Sequence, residues 1–189
     1  MGPMAFDNQD GAWAVSAPCS QQPARDPRSV CVYTADGARR ELRAPFPAEV
    51  VAMHAGSVLV IDTATSRSAG PTRAVLVQGD RVREHRLPLS AAAARSARWE
   101  GSTLSFWEPP SVDHPRLRLV RGTVVGDTLS WQTVEAPPGA ARGVHGPPGV
   151  ALAAGAHAGA LWQSVRGRGF VPMTPPVQGA PEALALSAD

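Results

Sequence analysis

Apolar and polar residues alternate in short runs along most of the chain, and the runs return in a fixed order. Residues 49–87 show the order most clearly. Residues 49–54 (EVVAMH) place Val, Ala and Met where a pleated surface accepts them and predict a strand, A. Ala55-Gly56 predicts a tight turn, because glycine reaches positive φ without a Cβ clash. Residues 57–62 (SVLVID) predict strand B and, after a polar loop, residues 73–78 (RAVLVQ) predict strand C. Gly79-Asp80 reads as a two-residue hairpin turn. Residues 81–87 (RVREHRL) alternate only partly, as an exposed outer strand D does, and Pro88 ends the pairing because it has no N–H to donate.

The same order recurs around Gly11 (GAWAVS), Gly101 (GSTLSF) and Gly149 (GVALAA), giving intervals of about 45–48 residues between marker glycines. Each unit runs from a short apolar segment through a Gly-led strand, a loop of Pro, Ser, Asp and Arg, and a hairpin to a Pro-containing close. The units span 4–47, 48–90, 91–138 and 141–176. Four strands per unit, with tight A–B and C–D turns, predict a single all-β domain of the β-propeller type, about four consecutive four-stranded antiparallel blades. A β-sandwich also spaces its strands regularly, but matched internal order favours blades. Residues 89–100 (LSAAAARSARWE) occupy the strand-A slot of the third unit, although alanine favours helix. Residues 181–189 (PEALALSAD) read as the start of a further blade. The expectation is an incomplete ring, whose open edges would invite self-association.

Residues 117–138 (LRLVRGTVVGDTLSWQTVEAPP) resemble the blades of sialidase-like, BNR-type propellers, in which one strand ends in a Gly-containing turn and the next carries a Trp. Residues 159–176 are a looser version. The Asp-box of that family, Ser-x-Asp-x-Gly-x-Thr-Trp, is not reproduced: Asp127 and Trp131 stand one residue too close, and Leu129 replaces the central glycine. The resemblance therefore implies kinship of fold. It further implies that the B–C loops and D–A connections share one face, the usual ligand face. The B–C loops are 18–28, 63–72, 108–115 and 156–158, and the candidates at or beside them are Arg28, Asp62, Arg67, Arg73, Trp107, Glu108, Asp113, His114 and Arg116. Loop residues on a rigid scaffold are the ordinary place for binding. Trp107, beside Glu108, is the candidate ring for stacking on a sugar.

A sialidase needs an arginine cluster, a Tyr nucleophile paired with Glu, and an acid–base Asp. The one tyrosine, Tyr33, falls in a predicted strand C away from the inner rim. Glu108 and Asp113 share one loop, which does not establish the facing carboxylates of a glycosidase. No catalytic residue is assigned.

Composition narrows the partners. The chain has 189 residues, 43% hydrophobic and 18% charged, enough for a folded core. A net charge of +2 is too small to imply a nucleic-acid partner. All 18 basic residues are Arg, and Ile61 and Asn8 are the single Ile and Asn, the codon bias of a GC-rich bacterial genome. His54, His85, His114, His145 and His157 have no metal-ligand spacing, and no cofactor motif occurs. No apolar run approaches the ~20 residues of a membrane span, and the N-terminal residues lack the features of a signal peptide. Cys19 and Cys31 flank one B–C loop. Adjacent antiparallel strands can bring them together as a disulfide, with two buried thiols as the alternative. The bonded form implies an extracytoplasmic location, secreted or periplasmic, if the chain is a fragment of a longer precursor; otherwise it is cytoplasmic. The expectation is a non-enzymatic propeller scaffold that contacts a protein or glycan through its B–C loop face. The alternative is a segment of a sialidase-like glycoside hydrolase or lectin whose catalytic residues lie elsewhere.

Overall fold

A computed structural model describes residues 4–7, 11–19, 26–65, 71–79, 81–100, 102–125, 128–145, 150–155, 160–165 and 169–174. Arg67, Asp80, Asp127, the loop 156–158 and the segment 181–189 lie outside the described residues. Among the described residues the chain is all-β apart from two short helical turns. Its strands form four four-stranded antiparallel sheets taken up in chain order. These are the propeller-type blades that the pattern predicts, and among the described residues no sheet closes into a barrel.

Sheet one comprises β1 (Met4–Phe6), β2 (Trp13–Val15), β3 (Ser29–Tyr33) and β4 (Arg39–Arg43). Sheet two comprises β5 (Ala48–His54), β6 (Ser57–Asp62), β7 (Thr72–Gln78) and β8 (Arg81–Leu87). Sheet three comprises β9 (Arg98–Glu100), β10 (Thr103–Glu108), β11 (Arg118–Val125) and β12 (Thr128–Glu135). Sheet four comprises β13 (Ala140–His145), β14 (Ala151–Gly155), β15 (Leu161–Val165) and β16 (Gly169–Met173). The chain divides into two compact units, Met1–Trp99 and Glu100–Asp189, with the division inside β9.

In the first unit, sheets one and two pack face to face. Ala14, Val30 and Val32 meet Val58, Val60 and Val75, all buried. Small and β-branched side chains suit this interface, because two sheets approach closely only when their facing residues interdigitate. The Ala55-Gly56 turn has positive φ at both residues, 46° and 71°, the pairing that a tight two-residue hairpin requires. Alanine is strained there. The buried Asp7 carboxylate accepts the Ala55 N–H at 2.5 Å and ties the turn of sheet two to sheet one.

Within residues 89–100, Arg98–Glu100 supply the expected strand A of sheet three, while residues 89–97 depart from it. They form a one-turn helix, α1 (Ala91–Ala94), before β9. Ser90 is its N-cap and its hydroxyl accepts the Ala93 N–H at 3.2 Å. Ala91, Ala93 and Ala94 are buried. A good cap and four alanines outweigh the register of the repeat at this point.

Cys19 and Cys31 form a disulfide with Cα atoms 4.9 Å apart. It ties the loop after β2 to the middle of β3, where Cys31 is fully buried. Replacing both cysteines with alanine is expected to cost about 3 kcal/mol, from the loop-closure entropy of a short crosslinked segment. Urea denaturation of wild type and the double variant, each with and without reductant, measures it. Reductant should shift only the wild type.

One histidine gives the stability a pH dependence of known sign. His85 lies on the outer strand β8, and burial, with Arg83 close by, pushes its pKa below the ordinary 6.5. The unfolded chain therefore binds the proton more readily, and folding loses stability as pH falls through about 6.5 toward the folded value. His85→Gln is expected to flatten that part of the profile. Thermal melts between pH 7.5 and 5 test it; an unchanged slope would remove His85 as the cause.

Candidate functional site

The strands predict one end of each sheet for the B–C loops, and the candidates separate there by burial. In sheet two, β6 ends at Asp62 and β7 opens with Thr72 and Arg73, and the ladder pairs Ile61 with Ala74. Asp62 is 4% exposed and its Oδ1 accepts the Ala64 N–H at 2.9 Å. Arg73 reaches its Oδ2 at 3.8 Å, donates to Glu84 at 3.2 Å and lies over the Phe46 ring.

Sheet three repeats the arrangement with longer side chains. β10 ends at Glu108, which pairs directly with Arg118 at the start of β11. Glu108 is 7% exposed. Arg118 donates to its Oε2 from Nε at 3.1 Å and also from Nη2. The second oxygen, Oε1, lies 3.5 Å from His114 Nε2, and His114 Nδ1 lies 3.4 Å from the Arg116 carbonyl. In both sheets, then, the last residue of strand B is a buried acid, and an arginine at the start of strand C meets it. Proximity of opposite charges is what makes burial of a carboxylate tolerable.

The loop between β10 and β11 is built on this pair. Pro109, Pro110 and Pro115 restrict its backbone. The Ser111 N–H donates to the His114 carbonyl at 2.8 Å, and the His114 N–H donates to the Ser111 hydroxyl at 3.3 Å. His114 is half-buried while Asp113 is exposed and Val112 is completely exposed. Asp113 thus stands near the tip of the loop and Glu108 at its root. Arg116 is exposed and pairs with Glu135 at 3.3 Å, a surface pair worth at most about 1 kcal/mol.

Arg28 is exposed in sheet one, and its N–H donates to Asp26 Oδ1 at 3.0 Å in a local turn. Trp107 is 6% exposed and packs with Leu119 and Ala153 in the core of the second unit. It presents no open ring face on which a sugar could stack. The structure therefore brings together Glu108 with His114, and Asp62 with Arg73. It keeps Trp107 out of the face.

Arg118 is the neighbour of Glu108 that residue types alone did not single out. Its signal is its place as the first residue of β11, opposite the last residue of β10. Glu49 and Arg95 are a third acid–arginine pair, away from the strand B and strand C ends: Arg95 at the C-cap of α1 donates to Glu49 from Nε and Nη2, both at 2.8 Å. Among the described residues, no group of three or more His, Cys, Asp or Glu stands placed to hold a metal ion. Among them also, no helix is long and apolar enough to cross a membrane. No protein-family model matches the chain, and no curated protein matches it.

Proposed function

We propose that the chain is a non-enzymatic propeller-type scaffold, of the sialidase-like, BNR-type lineage, that binds a protein or glycan through its B–C loops. The observation that carries this reading is the β10–β11 loop, which is exposed at Val112 and Asp113 and held at its root by Glu108, Arg118 and His114. Ordering a loop before it meets a partner lowers the entropy lost on binding. The two buried strand-end acids, Asp62 and Glu108, are engaged by arginines, which supports a structural use for them over a catalytic one. The disulfide fits an oxidising compartment, so the reading places the protein outside the cytoplasm, secreted or periplasmic, in a GC-rich bacterium.

A glycan array and a photo-crosslinking residue at position 112 test the two partner classes. Position 82 is the control, since Val82 is also exposed but lies on the outer strand β8. Array binding weakened about tenfold by Asp113→Ala, or a defined adduct from position 112 absent from position 82, supports the reading. Turnover of fluorogenic glycosides would replace it with the alternative, a segment of a sialidase-like hydrolase. A blank array together with equal labelling from both positions would overturn the assignment of the loop face.

A further inference from the structure

A sheet edge presents a row of N–H and C=O groups that a further strand can join. Folded chains blunt such edges with short strands, charges, prolines or bulges. Each of the four sheets has two edge strands, its first and its last in chain order. All but one of these edges carry such a device. β1 and β9 are only three residues long. β5 and β13 each have a register shift, between Val50 and Ala52 and between Ala140 and Arg142. β4 reads RRELR and β8 reads RVREHRL, so charged side chains stand along both. β16 contains Pro172, which has no N–H to offer.

β12 is the exception. It runs for eight residues, TLSWQTVE, and pairs with β11 residue for residue without a shift. It holds no proline or glycine, and its one charge, Glu135, is its last residue. Thr, Trp and Val suit a strand. Trp131 fastens β12 to its own sheet. Its ring centroid lies 6.0 Å from that of Phe106, and it covers Gly122, where a Cβ would come within 2.5 Å of the indole. Thr128, Ser130, Gln132 and Thr133 are exposed. Among the described residues, no strand pairs with the outer side of β12. Every second residue of such a strand turns its N–H and C=O outward.

We propose that β12 pairs antiparallel with β12 of a second copy of this chain, so that sheet three of one copy continues into sheet three of the other. The charge pattern selects this occupant. Two β12 strands related by a two-fold axis meet centre to centre. Pairing centred on Gln132 sets Trp131 opposite Thr133 and Leu129 opposite Glu135, and no two charges meet. Glu135 falls at the far end and already has Arg116 at 3.3 Å. The same operation on β4 would set Glu41 against Glu41 and Arg39 against Arg43, like charges directly opposite. An isologous pair joins identical surfaces, so one contact covers the open edge of both copies. The interface is separate from the B–C loop face and does not rest on the function proposed for it.

Sedimentation velocity of the full chain across micromolar concentrations tests the pairing. A concentration-dependent equilibrium between monomer and dimer is expected. Ser130→Lys and Thr133→Lys place charges on opposite faces of β12, both at exposed positions. Because the pair is symmetric each substitution acts twice, and a loss of about tenfold in dimer affinity is expected from either. Gln132→Cys reads the register directly, since opposed residues have Cβ atoms about 5 Å apart. The native cysteines are bonded to each other and do not compete. Oxidation should give a covalent dimer on a non-reducing gel. Val82→Cys, exposed on the charged edge β8, should not. The crosslink needs neither lysine variant, so the result stands even if one of them folds poorly. A chain that stays monomeric throughout would overturn the proposal. So would a dimer that survives both lysines, a dimer that only one of them dissolves, or no more crosslinking from position 132 than from position 82.

Discussion

Trp107→Ala is expected to destabilise the Glu100–Asp189 unit by about 3–5 kcal/mol, the usual cost of removing a large buried aromatic. Trp107 is 6% exposed and packs among Leu117, Leu119, Ala136, Ala151 and Ala153. Its ring centroid lies 5.8 Å from that of Phe170 and 6.1 Å from that of His145. Sheet four leaves room for it through one missing side chain: a Cβ on Gly143 would come within 2.0 Å of the indole Cδ2. Gly143→Ala is therefore destabilising for the opposite reason, overpacking, by about 1–3 kcal/mol. Because the two residues share one space, the double variant should lose less than the two singles together. Urea denaturation of the four proteins measures the cycle. A tryptophan placed for sugar stacking would give another result, with stability little changed and glycan binding lost.

That contrast shows what the residue pattern could carry. Trp107 and Glu108 are neighbours in sequence, which made them look like one site. On a strand, neighbours point to opposite faces. Trp107 enters the core between sheets three and four, while Glu108 meets Arg118 on the other face. The period of two already separated them. The second blade was legible almost to the residue, because alternation and turn glycines both speak there. β6 and β8 have the expected ends, while β5 and β7 each begin one residue earlier, at Ala48 and Thr72. The disulfide was legible as well, since its cysteines flank one loop between adjacent strands.

Other features were hidden for physical reasons. Around α1 a local signal, the Ser90 cap and the alanine run, competed with the long-range signal of the repeat and won. The acid–arginine pairs depend on register across loops, and register is set by how the loop closes. Asp36 sits in the β3–β4 turn, where its carboxylate accepts the Ala38 N–H. Its place on the rim of a cleft follows from the packing of sheet one on sheet two, and neither hairpin encodes that alone.

Arg118→Met is expected to destabilise by about 3 kcal/mol, toward the lower end of the range for breaking a buried ion pair. The Glu108 side chain is 9% exposed, so losing the guanidinium leaves its carboxylate without that partner in a low-dielectric site. The effect sits low in the range because Arg118 is itself 25% exposed, and water can enter where it stood. Adding Glu108→Gln should restore much of the loss, since the amide carries no charge to strand. The sheet-two counterpart makes the argument sharper. Arg73→Met removes the partner of Asp62 from the same place in its blade. Arg73, however, is 51% exposed and 3.8 Å away, and Asp62 keeps the Ala64 N–H. A loss of no more than about 1 kcal/mol is expected there. Urea denaturation of the three variants against wild type decides. Equal losses at Arg73 and Arg118 would mean that burial does not set the strength of this repeated pair. A loss at Arg118 that Glu108→Gln fails to repair would mean that Arg118 acts through the packing of its stem, not its charge.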